Sequence, residues 1–154
     1  MIMQQGKPYK ISFWALVAIS AVDCAAHSMN SLGPFAVGAL VKAGQVNTVQ
    51  ADIWSSVEML AYAAAMAGIP QYATRVRLRS VAIVAAAAVI IAQGVSAITH
   101  GLAGLLALRV LSGLGLGALN AVVIIGAIRL GRPGFVLSFV MVVQTFVLYG
   151  ASLV

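Results

Sequence analysis

The composition of this chain is unusually apolar. Of its 154 residues, 62% are hydrophobic and 8% are charged, whereas an ordinary soluble domain carries roughly 25% charged residues. The net charge is +6, but the basic residues are neither clustered on a soluble domain nor interleaved with stacking aromatic side chains, so the charge does not indicate a nucleic-acid interface.

The hydrophobic residues form runs of about 18 to 25 residues, the length a helix needs to cross ~30 Å of hydrocarbon. We therefore predict an all-α fold, a polytopic transmembrane helical bundle of about five membrane-spanning helices that forms one membrane domain over residues 1–154. The predicted spans lie near 11–40, 53–72, 81–98, 102–128 and 135–154. Short loops make neighbouring helices antiparallel. Because the chain stops inside an apolar run, we expect a truncated part of a longer protein.

The distribution of basic residues predicts the orientation. Seven of the nine lysine and arginine residues flank the N-terminal side of span one or lie in the loops after spans two and four. They are Lys7, Lys10, Arg75, Arg77, Arg79, Arg129 and Arg132. Lys42 alone lies on the opposite side, so the positive-inside rule predicts a cytoplasmic N-terminus. Span one carries Asp23 and lacks a clear cleavage site, so we expect a retained helix instead of a signal peptide.

Span one holds a polar stripe. Asp23, His27, Asn30 and Pro34 are spaced to share one helix face. Ionisable groups at membrane depth are costly against lipid, so this face should meet the bundle or a wet cavity. A carboxylate and an imidazole one turn apart can pass a proton, although the stripe is equally consistent with a polar knot between helices. Pro34 bends the helix or ends it.

Spans two and four carry the other buried charges. Arg109 lies inside span four and needs a carboxylate, carbonyl groups or water. Counting from the outer edge places it near His27 and one turn above Asp23, and Glu58 in span two is the other candidate partner. An Asp23–Arg109 pair that breaks on protonation would couple a proton to helix movement; the alternative is a static ion pair.

Two local motifs lie in span four and around the loop after span two. In span four, Arg109 precedes a glycine-rich turn in which Gly113 and Gly117 form a small-residue packing face and Gly115 adds flexibility. Gly68 precedes a loop with the basic residues Arg75, Arg77 and Arg79. The first motif resembles one in the N-terminal half of a major facilitator superfamily transporter, and the second is similar to the cytoplasmic gating loop of that family, although no aspartate follows Gly68. The resemblance implies a twelve-helix transporter with two six-helix halves around a central site, and the C-terminal half as a missing partner.

These observations favour secondary active transport of a small organic solute, coupled to protons, by alternating access in the lipid bilayer of a bacterial inner (plasma) membrane. No cofactor, metal site or enzymatic activity is expected, since the three acidic residues form no catalytic motif and the single cysteine belongs to no ligand cluster. The alternative is a non-catalytic small membrane subunit or an oligomeric small exporter.

Overall fold

The computed structural model describes residues 12–44, 47–72, 77–99 and 101–152, with the side chains there except those at 28–32, 34, 36, 148, 151 and 152. This part of the chain contains five α-helices and no strand. They are α1 (Phe13–Lys42), α2 (Thr48–Gly68), α3 (Leu78–Ser96), α4 (Leu102–Arg129) and α5 (Pro133–Ser152), with a short 3₁₀ helix (Ile69–Tyr72) after α2. Each α-helix overlaps one predicted span, and the all-helical prediction is confirmed.

The ends of the helices follow from local side-chain and backbone chemistry. Asn47 begins α2 with a capping box, since its Oδ1 accepts a 2.8 Å hydrogen bond from the Gln50 backbone N–H while Gln50 Oε1 accepts one of 3.0 Å from the Asn47 N–H. Gly131 follows the end of α4 with φ 75°, a left-handed conformation that glycine adopts without a Cβ clash. These signals let α4 and α5 reverse direction within a few residues.

Helix α4 lies at the centre of the bundle. Its buried residues cover all sides of the helix between Ser112 and Ala127. One apolar cluster joins Leu16 of α1 to Val123 of α4 and Val140 of α5, and a second joins Ala26 of α1 to α3 and α4. α4 contacts each of the other four helices, and α1 also packs against α5 and, to a lesser extent, α2.

Three glycines of α4 bring the helix backbones close together. A Cβ on Gly113 would clash with the backbone carbonyl of Glu58, and one on Gly117 with the carbonyl of Tyr62. A Cβ on Gly115 would lie 3.0 Å from the Ala85 carbonyl oxygen and 2.6 Å from Val89 Cγ2 of α3. The predicted small-residue face is therefore present, and alternate glycines serve two different neighbouring helices.

Two of the described helices, α3 and α4, are long and apolar enough to cross a membrane, each with a mean hydropathy of 2.0 over its best window. Only 11% of that window is buried in α3, against 61% in α4. Apolar stretches of α1 and α5, Phe13–His27 and Pro133–Val147, are shorter. The count of five membrane spans stays a prediction.

Candidate functional site

A buried ion pair joins α2 to α4. Arg109 Nη1 donates to both carboxylate oxygens of Glu58, at 3.0 Å to Oε1 and 2.9 Å to Oε2. Arg109 is 4% exposed and Glu58 8%. The pair forms because Gly113 lets the two helix backbones approach closely beside it. Of the two partners considered for Arg109, the structure selects Glu58.

Gln93 of α3 and Ser112 of α4 complete a closed set of hydrogen bonds with this pair. Gln93 Nε2 donates to Ser112 Oγ at 2.9 Å, and Ser112 Oγ donates to Glu58 Oε1 at 2.8 Å. Arg109 Nη2 donates to Gln93 Oε1 at 3.4 Å. We call these four residues the polar ring. It connects α2, α3 and α4, and its one carboxylate balances its one guanidinium.

Trp54 covers the polar ring from α2. The Arg109 Cζ atom lies 3.5 Å from the centroid of the Trp54 ring, a distance at which the indole face attracts a cation. Trp54 is 2% exposed, and its Nε1–H has no hydrogen-bond partner among the described residues. The guanidinium is thus held by a carboxylate, an amide and an aromatic face.

Sequence analysis did not identify Gln93 or Trp54. Gln93 is the one side chain with a strong hydrogen-bonding group between Val81 and Val95, and an amide isolated in an apolar helix needs a buried partner. Trp54 precedes Glu58 by four residues and therefore shares its face. Both signals were present in the sequence.

Asp23 and His27 form a separate polar group on α1. The His27 Nδ1 atom lies 3.5 Å from Asp23 Oδ1 and 3.1 Å from the Asp23 backbone carbonyl oxygen. Asp23 is 4% exposed, and its second oxygen, Oδ2, has no hydrogen-bond partner among the described residues. The Ser20 hydroxyl, one turn away, is likewise buried without a partner there. The sequence correctly placed these two ionisable groups together.

Asp23, the other candidate partner of Arg109, does not pair with it, because Arg109 pairs with Glu58. Leu16 shares an apolar cluster with Val123, Ala26 shares another with Leu119, and Ile19 packs beside Gly126. These contacts set the register of α1 on α4. This register places Asp23 level with positions 120–122 of α4, roughly 18 Å along the axis from Arg109. The depth estimate failed because α1 is 30 residues long, so the outer end of the helix is a poor reference point.

A further polar contact links α2 and α4 near the middle of the bundle. Asn120 Nδ2 donates a short hydrogen bond to the Tyr62 hydroxyl. Tyr62 lies one turn after Glu58 on α2. The hydrogen bond satisfies one donor of a carboxamide that would otherwise be costly in an apolar bundle.

The remaining predicted site residues are only partly brought together. Gly68 ends α2, and a Cβ there would meet nothing within 4 Å. Arg77 and Arg79 are exposed at the start of α3. Arg75 and the side chains of Asn30 and Pro34 lie outside the described residues.

The chemistry available differs between the two polar groups. The polar ring is enclosed and internally hydrogen-bonded, whereas Asp23 retains an oxygen that can accept a further bond. Within the described ranges, no group of three or more histidine, cysteine, aspartate or glutamate residues is arranged to hold a metal ion.

Comparison with known proteins identifies no relative: no family model, no curated protein and no solved structure matches this chain.

Proposed function

We propose that this chain is a membrane-embedded part of a secondary transporter that couples the movement of a small organic solute to the movement of protons, as the resemblance of its motifs to the major facilitator superfamily suggests. The observation that carries the proposal is the buried carboxylate of Asp23, which has an oxygen without a hydrogen-bond partner and a histidine one turn away. A carboxylate in this setting can bind a proton in one conformation of the transporter and release it in another.

A membrane location is supported by the exposed surface of the bundle. α3 presents Ile83, Val84, Ile90 and Ile91 with 58% to 71% of each residue exposed. An apolar surface of this kind is unfavourable in water and favourable against lipid. By the distribution of arginine residues, we place the N-terminus and the start of α3 on the cytoplasmic side, in a bacterial inner membrane.

The packing suggests that the polar ring is structural and that the Asp23–His27 group is the one that responds to protons. The polar ring and the interlocked glycines hold α2, α3 and α4 as one unit. α1 contacts α4 through side chains, such as Ile19 on Gly126, where the nearest atom would lie 3.3 Å from an added Cβ. Asp23 therefore lies on a helix that contributes no side chain to the ring, although the outer end of α1 packs on the apolar cluster around Trp54 through Val37, Leu40 and Val41.

An apolar groove lies on the side of α1 next to Asp23, which does not itself line the groove. The groove, of about 360 Å³ between α1 and α5, reaches Ser20 and Cys24, the positions one turn before and directly after Asp23. Burial of an ionised carboxylate without a full set of partners is costly, so Asp23 Oδ2 requires a proton, a water molecule or another polar group. Access to this oxygen from alternate sides is what proton coupling demands.

The test is solute-driven proton flux in proteoliposomes that contain the native gene product and the dye pyranine. We expect at least one member of a panel of sugars, amino acids and organic acids to drive proton movement, and Asp23→Asn to abolish that movement while solute exchange persists. Asp52→Asn, an exposed position on α2, serves as the control. Unchanged coupling in Asp23→Asn would reject the role of Asp23.

The alternative is a small membrane subunit without transport activity. It is favoured by the polar ring, which is enclosed and hydrogen-bonded as a static structural pair would be. The same flux measurement separates the two, since a subunit shows no solute-driven flux with any member of the panel.

A further inference from the structure

An apolar groove ends at an arginine. The groove has a volume of about 490 Å³ and lies between α1, α3 and α4. Its walls include Ala18 and Val22 of α1, Ala82 of α3 and Val122 and Gly126 of α4, with Arg79 at the end where α3 begins. Its size falls within the range of roughly 300 to 1,000 Å³ that is common for ligand sites.

The open end of this groove is positively charged. Arg79 is exposed, and in the part of the chain described here no carboxylate pairs with it. Arg79 is the second residue of α3, whose N-terminus has no side-chain cap. The backbone N–H groups of an uncapped helix start add to the attraction for an anion.

We propose that this groove binds an anionic phospholipid. The lipid comes from the leaflet at the arginine-bearing end of the bundle, the end that carries Arg77, Arg79, Arg129 and Arg132. One acyl chain occupies the apolar groove and the phosphate lies against Arg79. The groove follows α3 from Leu78 to Ile83, or roughly 8 Å, so it holds the part of the acyl chain nearest the headgroup. This inference rests on the membrane location in the proposed function, and not on the transport step.

Charge favours a lipid over a packed helix as the occupant. A helix that filled the groove would cover Arg79 and remove a guanidinium from water, which is costly without an acidic partner. A phospholipid fills the same apolar space and supplies the counter-charge at the right end. Basic pockets between membrane helices are suited to anionic headgroups for this reason.

The test is native mass spectrometry of the chain in detergent micelles, titrated with phosphatidylglycerol or with phosphatidylcholine of the same acyl chains. We expect preferential binding of phosphatidylglycerol. Arg79→Gln should weaken its binding about five-fold, the equivalent of one surface cation, whereas Arg79→Lys should retain it. Ala82→Leu, which fills the groove, should weaken binding of both lipids.

Arg132→Gln is the matched control, because it removes the same charge at the same end from an exposed position outside the groove. We expect it to change the affinity by less than about two-fold, since its charge does not adjoin the groove and is screened by solvent. Equal affinity for the two lipids, or equal losses in Arg79→Gln and Arg132→Gln, would overturn the proposal.

Extraction of membranes with alkaline carbonate separates this failure from that of the proposed function. A chain that is extracted is not integral to the membrane, and both proposals are then rejected. A chain that resists extraction but shows no preference for phosphatidylglycerol rejects the lipid site alone.

Discussion

A single guanidinium nitrogen of Arg109 donates hydrogen bonds to both carboxylate oxygens of Glu58, a residue 51 positions away in the sequence, where α2 packs on α4. A buried pair of this kind is costly to break by removing one partner, because the other charge is left without compensation. The contribution of this ion pair to the free energy of unfolding can be measured directly.

We predict that Glu58→Gln and Arg109→Gln each destabilise the folded chain by about 3 to 5 kcal/mol. The double variant Glu58→Gln/Arg109→Gln should lose less than the sum of the single losses, because no isolated charge remains. Thermal unfolding in detergent provides the measurement. It is monitored by the fluorescence of Trp54 beside the pair, with the second tryptophan removed in all variants by Trp14→Phe. Asp52→Asn is the control, and additive losses would show that the two residues are not coupled.

The close approach of the helices at glycine gives a second prediction. Gly113→Ala and Gly117→Ala should each destabilise the chain by about 1 to 3 kcal/mol, since the added Cβ would meet the backbone of α2. Gly94→Ala in α3 is the matched control, because its Cβ would meet nothing within 4 Å. It should be neutral or stabilising by up to about 1 kcal/mol. Equal effects in all three variants would contradict the interlocked packing.

The third prediction concerns Gln93, which connects α3 to the polar ring. Gln93→Leu leaves Ser112 and Arg109 each with one bond fewer, and we expect a loss of about 1 to 3 kcal/mol in the free energy of unfolding. Gln71→Leu is the control, because it removes only the hydrogen bond from an exposed amide to the Ala67 carbonyl oxygen one turn earlier. It should lower the free energy of unfolding by less than about 0.5 kcal/mol. The ring would have no structural importance if both variants unfolded like the wild type.

The apolar surface of α3 gives a fourth prediction. Ile90 is 71% exposed, so Ile90→Arg should oppose membrane insertion by about 2.5 to 3.5 kcal/mol if lipid covers this face. Ser80→Arg, near the start of the helix, should insert normally because a long side chain there reaches the interface. A glycosylation-based insertion assay measures both. An Ile90→Arg chain that becomes more soluble, with no change in membrane fraction, would indicate that water covers this face.

The helices and the small-residue face of α4 were predictable from sequence. Runs of apolar residues with polar breaks locate the five helices, and the spacing of Gly113 and Gly117 by four residues indicates a close helix contact. Local patterns of this kind require no knowledge of how the helices are arranged.

The partner of Arg109 was not predictable in the same way. Asp23 and Glu58 are both on apolar helices and both are candidates by charge, and only the register of α1 and α2 on α4 distinguishes them. That register is set by dispersed contacts such as Leu16 on Val123, which are indistinguishable in sequence from any other pair of apolar residues. The three-helix polar ring was missed for the same reason.

The most direct test of the central claim, that this bundle crosses a membrane with its arginine-bearing end in the cytoplasm, is labelling of single cysteines in intact cells. With the one natural cysteine removed by Cys24→Ala, Lys42→Cys, Arg79→Cys and Arg132→Cys are each exposed to a membrane-impermeant maleimide. We predict that only Lys42→Cys reacts before permeabilisation and that all three react after it. Reaction of Arg79→Cys or Arg132→Cys in intact cells would contradict the account.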